Sequence, residues 1–169
     1  MSVIKSKKFI LRPFKKDDAV SLTRNINNKK IYRNTLSIPY PYVLNDARKW
    51  LKKCRESKSD KEKNWVIDIK GEVVGGVGLR DVDGHKAEIG YWLAEAYWGR
   101  GITTEAVKLV VKYCFNRLKL RRLYAYVFPR NQASLRVLFK AGFKKEGLLK
   151  KNVVKNGKFF NDVLLAKVR

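Results

Sequence analysis

One stretch constrains this chain more than any other. Glu88-Ile89-Gly90-Tyr91-Trp92-Leu93 alternates in the manner of a strand, and Trp98-Gly99-Arg100-Gly101 follows as a turn. Val107, Val110, Val111, Cys114, Phe115 and Leu118 then recur at i, i+3, i+4, i+7, i+8 and i+11, the spacing of one helix face. The order strand, glycine turn, helix brings unpaired backbone N–H groups and the positive end of a helix dipole to one place. Glycines admit an anion to the backbone there, and Arg100 adds a full charge. That chemistry suits a phosphate or pyrophosphate, although two glycines also serve a plain tight reversal.

The balance of charge narrows the partners. Thirty-nine Lys and Arg face fifteen Asp and Glu, a formal charge of +24. Such a field attracts anions: a phosphorylated cofactor, nucleic acid or an acidic protein. It repels cationic substrates such as polyamines and aminoglycosides. The basic residues are dispersed and form no compact basic motif. A chain of 169 residues with 45% hydrophobic content is expected to form a single domain, residues 1–169, with its own core. Met1–Lys8 is polar and lysine-rich, and no apolar run reaches the ~20 residues of a membrane span, so a cytoplasmic, non-membrane protein is expected. Cys54 and Cys114 fall on apolar helix positions and read as core thiols in a reducing compartment. One His and two scattered Cys give no ligand cluster, so no metal is expected.

The remaining segments read as follows. Lys8–Pro13 is a first strand with Phe9 and Leu11 on one face. Asp17 or Asp18 caps a short helix carrying Ala19, Leu22 and Ile26, and Asn25–Lys30 breaks it. The prolines of Ile38-Pro39-Tyr40-Pro41-Tyr42 dictate a loop that exposes aromatic faces, to the core or to a substrate. Asn45 or Asp46 caps a helix with Ala47, Trp50, Leu51 and Cys54 as its stripe, and Ser57–Lys63 is a polar loop. Trp65–Ile69, a Lys70-Gly71-Glu72 hairpin and Val73–Leu79 form an antiparallel pair, with Gly75, Gly76 and Gly78 marking a bulge or a close backbone approach. Asp83-Gly84 turns into Ala87–Leu93. Leu123–Phe128 is a buried strand. Asn131 opens a helix with Leu135, Leu138 and Phe139 as its apolar face, and Gly142 ends it. Phe143–Leu149 and Lys158–Val168 are the last strands, with Val153–Gly157 turning between them. The fold class is α+β.

The order of short motifs is specific: Glu88–Leu93, Trp98-Gly99-Arg100-Gly101, Thr104-Glu105-Ala106, Asn131-Gln132-Ala133-Ser134-Leu135-Arg136, Ala141-Gly142-Phe143 and Glu146-Gly147. It resembles the GNAT superfamily of acetyl-CoA-dependent N-acetyltransferases. Leu11-Arg12-Pro13, Pro39–Tyr42 with Asp46-Ala47, and Asn161-Asp162-Val163-Leu164 are similar to its ribosomal-protein serine/alanine N-terminal acetyltransferase branch. The resemblance implies a mixed, mostly antiparallel sheet splayed between its fourth and fifth strands, here Ala87–Leu93 and Leu123–Phe128. Acetyl-CoA would lie in the splay as co-substrate. The backbone groups of Tyr91, Trp92 and Leu93 would meet the pantetheine arm and thioester carbonyl. Gly99, Arg100, Gly101, Ile102, Thr103 and Thr104 would hold the pyrophosphate, and Asn131 would bond the pantetheine as well as cap its helix. Thr103 stands where the family's loop pattern has glycine or alanine.

Direct attack on the thioester needs a neutral amine. An α-amine titrates about 2.5 units below a lysine, worth roughly 3.4 kcal/mol, or about 300-fold in free base at neutral pH. A site without a strong base therefore favours a protein N-terminus, and bases are scarce here. Glu88 is the expected base, with His85 in the preceding turn the second choice. The carboxylates that some family members carry at the positions of Val153 or Tyr126 are missing. Many members place a tyrosine where Leu138 stands, and the ribosomal branch instead offers a serine, Ser134, to the leaving thiolate. Tyr40 and Tyr42 are expected to shape the acceptor entrance. The expected enzyme acts on a protein or peptide N-terminus of the ribosomal-protein type, as a monomer or homodimer, with weak nucleic-acid or ribosome association through its basic surface. The alternatives are a small-amine acetyltransferase and a basic RNA- or ribosome-associated module without catalysis.

Overall fold

The computed structural model describes residues 2–56 and 61–169. The strands are β1 (Ile4–Lys5), β2 (Ile10–Pro13), β3 (Lys63–Ile69), β4 (Glu72–Asp83), β5 (Lys86–Leu93), β6 (Arg122–Val127), β7 (Lys144–Lys155) and β8 (Lys158–Val168). The helices are α1 (Ala19–Ile26), α2 (Lys29–Asn34), α3 (Leu44–Glu56), α4 (Ile102–Asn116) and α5 (Gln132–Lys140). The strands form one sheet in the order β1-β2-β3-β4-β5-β6-β8-β7, antiparallel except for β5 and β6, which run parallel. The mixed α+β sheet with flanking helices is the architecture expected of a GNAT-like chain.

Both sheet faces are covered, and period-two alternation sorts the side chains between them. Trp65 and Ile67 of β3 join one cluster, which packs α4 through Ile102, Ala106, Val107, Val110, Val111, Cys114 and Phe115. Val66, between them, joins the opposite cluster with Leu22 and Ile26 of α1, Ile31 of α2, and Ala47 and Leu51 of α3. Each fully buried Leu, Ile or Phe in these layers contributes roughly 1.5–3 kcal/mol.

Several local expectations hold. Phe9 and Leu11 are both buried. Residues 38–43 form neither helix nor strand. Helix α3 begins at Leu44, before the expected caps Asn45 and Asp46, and Asp46 caps from within the first turn, its Oδ2 accepting from Val43 N at 3.0 Å. The glycines of β4 do mark a bulge and a close approach. The β3–β4 register shifts between Ile67 and Asp68, and a Cβ on Gly75 would sit 2.7 Å from the Trp92 carbonyl oxygen.

Other details differ. Asp18 makes no side-chain cap on α1; its carboxylate is taken by Arg12 and by Lys15 N. Asn25–Lys30 does end α1, but a further helix, α2, starts inside it. Asn27 N–H bonds Thr23 O to close α1, and Asn28 Oδ1 accepts from Lys30 N at 2.8 Å to open α2. Residues read as breakers are two caps in series. Phe139 is half exposed, whereas Leu138 is fully buried. Leu118 lies beyond the end of α4. β7 continues through Val153–Lys155, and Asn156-Gly157 alone turns the chain, both at positive φ. The polar loop expected at Ser57–Lys63 falls partly outside the described residues, and Lys63 already belongs to β3.

Candidate active site

The parallel strands β5 and β6 pair only at Lys86–Arg122, Ala87–Leu123 and Glu88–Tyr124. Beyond Glu88 they part, while β4–β5 pairing continues to Leu93 and β6–β8 pairing to Val127. A V therefore opens in the sheet where a splay was expected. The phase of the β4–β5 ladder follows from Ala94 N donating to Val74 O at 2.8 Å. It turns the backbone groups of Trp92 toward Gly76 and those of Tyr91 and Leu93 into the V. The Leu93 carbonyl is occupied, because Trp98 Nε1 donates to it at 2.7 Å. The groups left facing the V are the Tyr91 N–H and C=O and the Leu93 N–H.

Next along the chain, Gly99 and Gly101 have φ of 74° and 75°. A Cβ at either would meet no atom within 4 Å, so the left-handed backbone, not crowding, favours glycine. Gly101 is the N-cap of α4 and makes no side-chain cap bond, which leaves the first-turn N–H groups of Ile102, Thr103 and Thr104 available. Arg100 lies over the Tyr97 ring at 5.5 Å, and Lys8 Nζ donates to Arg100 O at 3.3 Å. Glu105 in the same turn is engaged by Ser6 Oγ at 2.5 Å. The far wall of the V carries α5. There Asn131 Oδ1 accepts from Ser134 N at 3.2 Å, an N-cap that leaves Nδ2 able to donate. Ser134 Oγ lies 2.8 Å from Tyr91 Oη on the opposite wall.

Glu88 and Tyr124, paired at the base of the V, face the α1–α3 side. The Glu88 side chain is 16% exposed, 3.5 Å from Arg80 Nε. Burial raises its carboxyl pKa above the usual range; Arg80 opposes this, and Asp81 and Asp162 add to it. Burial likewise raises the Tyr124 hydroxyl. His85 is exposed, and its carbonyl accepts from Arg121 N and Arg122 N. Tyr40 is exposed and lies 5.8 Å from the Tyr32 ring. Tyr42 is buried among α1–α3, and its hydroxyl is pushed up to about 12 by burial.

Three features of this side were not assigned to the site from the sequence, although Asp162 lies in the Asn161–Leu164 motif. Asp162 is buried, accepting from Asn152 Nδ2 at 3.1 Å. Arg130 covers Phe128 and Phe160 and donates to Arg33 O at 2.5 Å. Lys155 donates to Tyr32 O and, at 2.6 Å, to Thr35 O. With Asn28 and Lys30 bonded to Glu95 just past β5, α2 is tied to both sides of the open end of the V. These links join residues 65 to 123 positions apart, beyond any local pattern.

An open V, a glycine turn and an uncapped helix tip, in that order, match a known arrangement. Residues 8–144 match the family described as the acetyltransferase (GNAT) domain. The chain belongs to the GNAT acetyltransferase family. It is therefore an acyltransferase, and an N-acetyltransferase by its relatives. It is 37% identical to the probable N-acetyltransferase YjcK of Bacillus subtilis, over 97% of this chain and 96% of that one. It is 28% identical to the spermidine N(1)-acetyltransferase of Escherichia coli, over 90% and 82%. It superposes on the ribosomal-protein-S5-alanine acetyltransferase of Vibrio fischeri with a TM-score of 0.89 at 25% identity, covering 99% and 97%. Solved structures of this fold carry CoA or acetyl-CoA. The open N–H groups of the V and of the α4 tip fit that co-substrate by their chemistry. Among the described residues no group of three or more His, Cys, Asp and Glu is placed to hold a metal, and no helix is long and apolar enough to cross a membrane.

Proposed function

We propose that this GNAT enzyme acetylates the N-terminal α-amine of a protein, of the ribosomal-protein type, from acetyl-CoA held in the V. The observation that carries the proposal is the run of open donors from Tyr91 and Leu93 to the Gly99–Thr104 turn. In this reading the turn and the first-turn N–H groups of α4, with Arg100, bind the pyrophosphate. Asn131 Nδ2 and the strand-end groups bind the pantetheine. A backbone N–H of Tyr91 or Leu93 steadies the charge developing on the thioester oxygen. Trp92 contributes through its position between them, since its own backbone groups face β4.

The amine enters from the Glu88 side. Its nitrogen forms the new bond to the acetyl carbon, the carbon–sulfur bond breaks, and the nitrogen loses one proton toward Glu88, directly or through a water. The sulfur leaves as thiolate, steadied by the Ser134 hydroxyl, and takes its proton from solvent. Tyr40 lines the entrance, and Tyr42 holds that loop from below. Support for a protein N-terminus comes from the lower basicity of an α-amine, which asks less of Glu88 than a lysine would. The Vibrio fischeri relative points the same way. The +24 charge draws acidic partners and opposes polyamines. A second reading, a small amine acceptor, draws on the tethering of α2 across the entrance.

The test is acetyl transfer to peptides beginning Ser, Ala or Thr, run beside free amino acids and spermidine. Turnover on the peptides at least tenfold above the small amines is expected. Faster turnover on a small amine would overturn the peptide reading.

A further inference from the structure

Tyr91 of β5 projects to the α4–α5 side, and its hydroxyl reaches the first turn of α5. It lies 2.8 Å from Ser134 Oγ and 3.1 Å from the Ser134 carbonyl oxygen. The ring packs against the main core cluster. A phenol has one hydrogen for these two acceptors, which permits two arrangements. In one, Tyr91 donates to the carbonyl and Ser134 donates to Tyr91, so the serine hydrogen is used up. In the other, Tyr91 donates to Ser134 Oγ, and the serine hydrogen is free to turn into the V.

We propose that Tyr91 is a positioning residue for the leaving group: its hydroxyl holds Ser134 Oγ as an acceptor, so that the serine hydrogen points at the coenzyme sulfur. The inference rests on the reading of Ser134 given above. Negative charge on sulfur favours the second arrangement, because each hydrogen bond in a donor chain strengthens the next. Burial raises the Tyr91 pKa, so the phenol stays protonated and remains a donor. Tyr91 thus serves the site twice, with its backbone N–H facing the V and its side chain setting the donor for the thiolate. No proton leaves Tyr91.

The test needs no acceptor. Coenzyme A is bound to the enzyme and its thiol is titrated by the ultraviolet absorbance of the thiolate, with S-methyl-coenzyme A as the blank. Ser134→Ala and Tyr91→Phe are each expected to raise the bound thiol pKa by about one unit, a tenfold change from a lost hydrogen bond to a charged group. The double variant shifts no further than Ser134→Ala alone, and Ser134→Thr restores the wild-type value. Tyr91→Phe keeps the ring in the core, so the variant is expected to fold and bind the coenzyme, and a purely structural bond would leave the thiol unmoved. If Ser134→Ala raises the thiol pKa and Tyr91→Phe does not, this inference is overturned and the serine reading stands. If Ser134→Ala leaves it unchanged, the serine reading falls and the inference with it.

Discussion

Glu88 carries the heaviest chemical assignment on one side chain. A base must be ionised to accept a proton, and burial raises this carboxyl pKa above that of an ordinary glutamate. Turnover with saturating acceptor should therefore fall as pH drops through the raised value, at higher pH than a free glutamate would give. Glu88→Gln should lower kcat by about 10²-fold and remove that limb. The stability sign runs the other way. A carboxyl with a raised folded pKa binds more protons folded than unfolded, so its contribution weakens as pH rises through that window. Glu88→Gln is therefore expected to melt no lower than wild type at neutral pH. A melting scan beside the pH–rate profile separates lost chemistry from lost fold. Ser134 was singled out only through the resemblance, as the serine three residues after Asn131, and the structure adds its partner. Tyr91 was read for its backbone alone, because pairing its hydroxyl with Ser134 joins residues 43 apart across a gap in the sheet.

The strand–turn–helix unit was the most legible element, and the reason is local. Alternation in Glu88–Leu93, two glycines and the stripe from Val107 are all set by near neighbours, and the structure builds them as β5, the positive-φ turn and α4. Gly101→Ala tests the turn. A left-handed φ costs an alanine about 1–2 kcal/mol. If acetyl-CoA binding depends on that geometry, affinity should weaken about tenfold, read by calorimetry, while the unliganded protein stays folded. The helix α2 was not legible, because asparagines that stop one helix also start the next. The end of β7 was misjudged for a related reason: Val153–Lys155 is stabilised by pairing with β8, which no local propensity reports. Phe139 follows helical spacing yet faces outward, since the narrow apolar stripe of α5 centres on Leu138.

Across the whole molecule, the +24 charge and the open V act on different steps. The charge sets how acceptors approach; the V sets where the thioester sits. If the field selects acceptors, kcat/KM for an acidic N-terminal peptide should fall several-fold between low and physiological salt, while that for a neutral peptide changes little. The V was legible only through the joint order of motifs along the chain. That two strands part is a property of three elements at once, and no stretch of sequence encodes it alone. The most direct measurement is amide hydrogen exchange, residue by residue, with and without acetyl-CoA. Slowed exchange is predicted at Tyr91, Leu93 and Gly99–Thr104, with Trp92 and Glu88 already protected through their pairing with β4. Binding of acetyl-CoA without protection at these amides, or with protection confined to another face, would contradict the account.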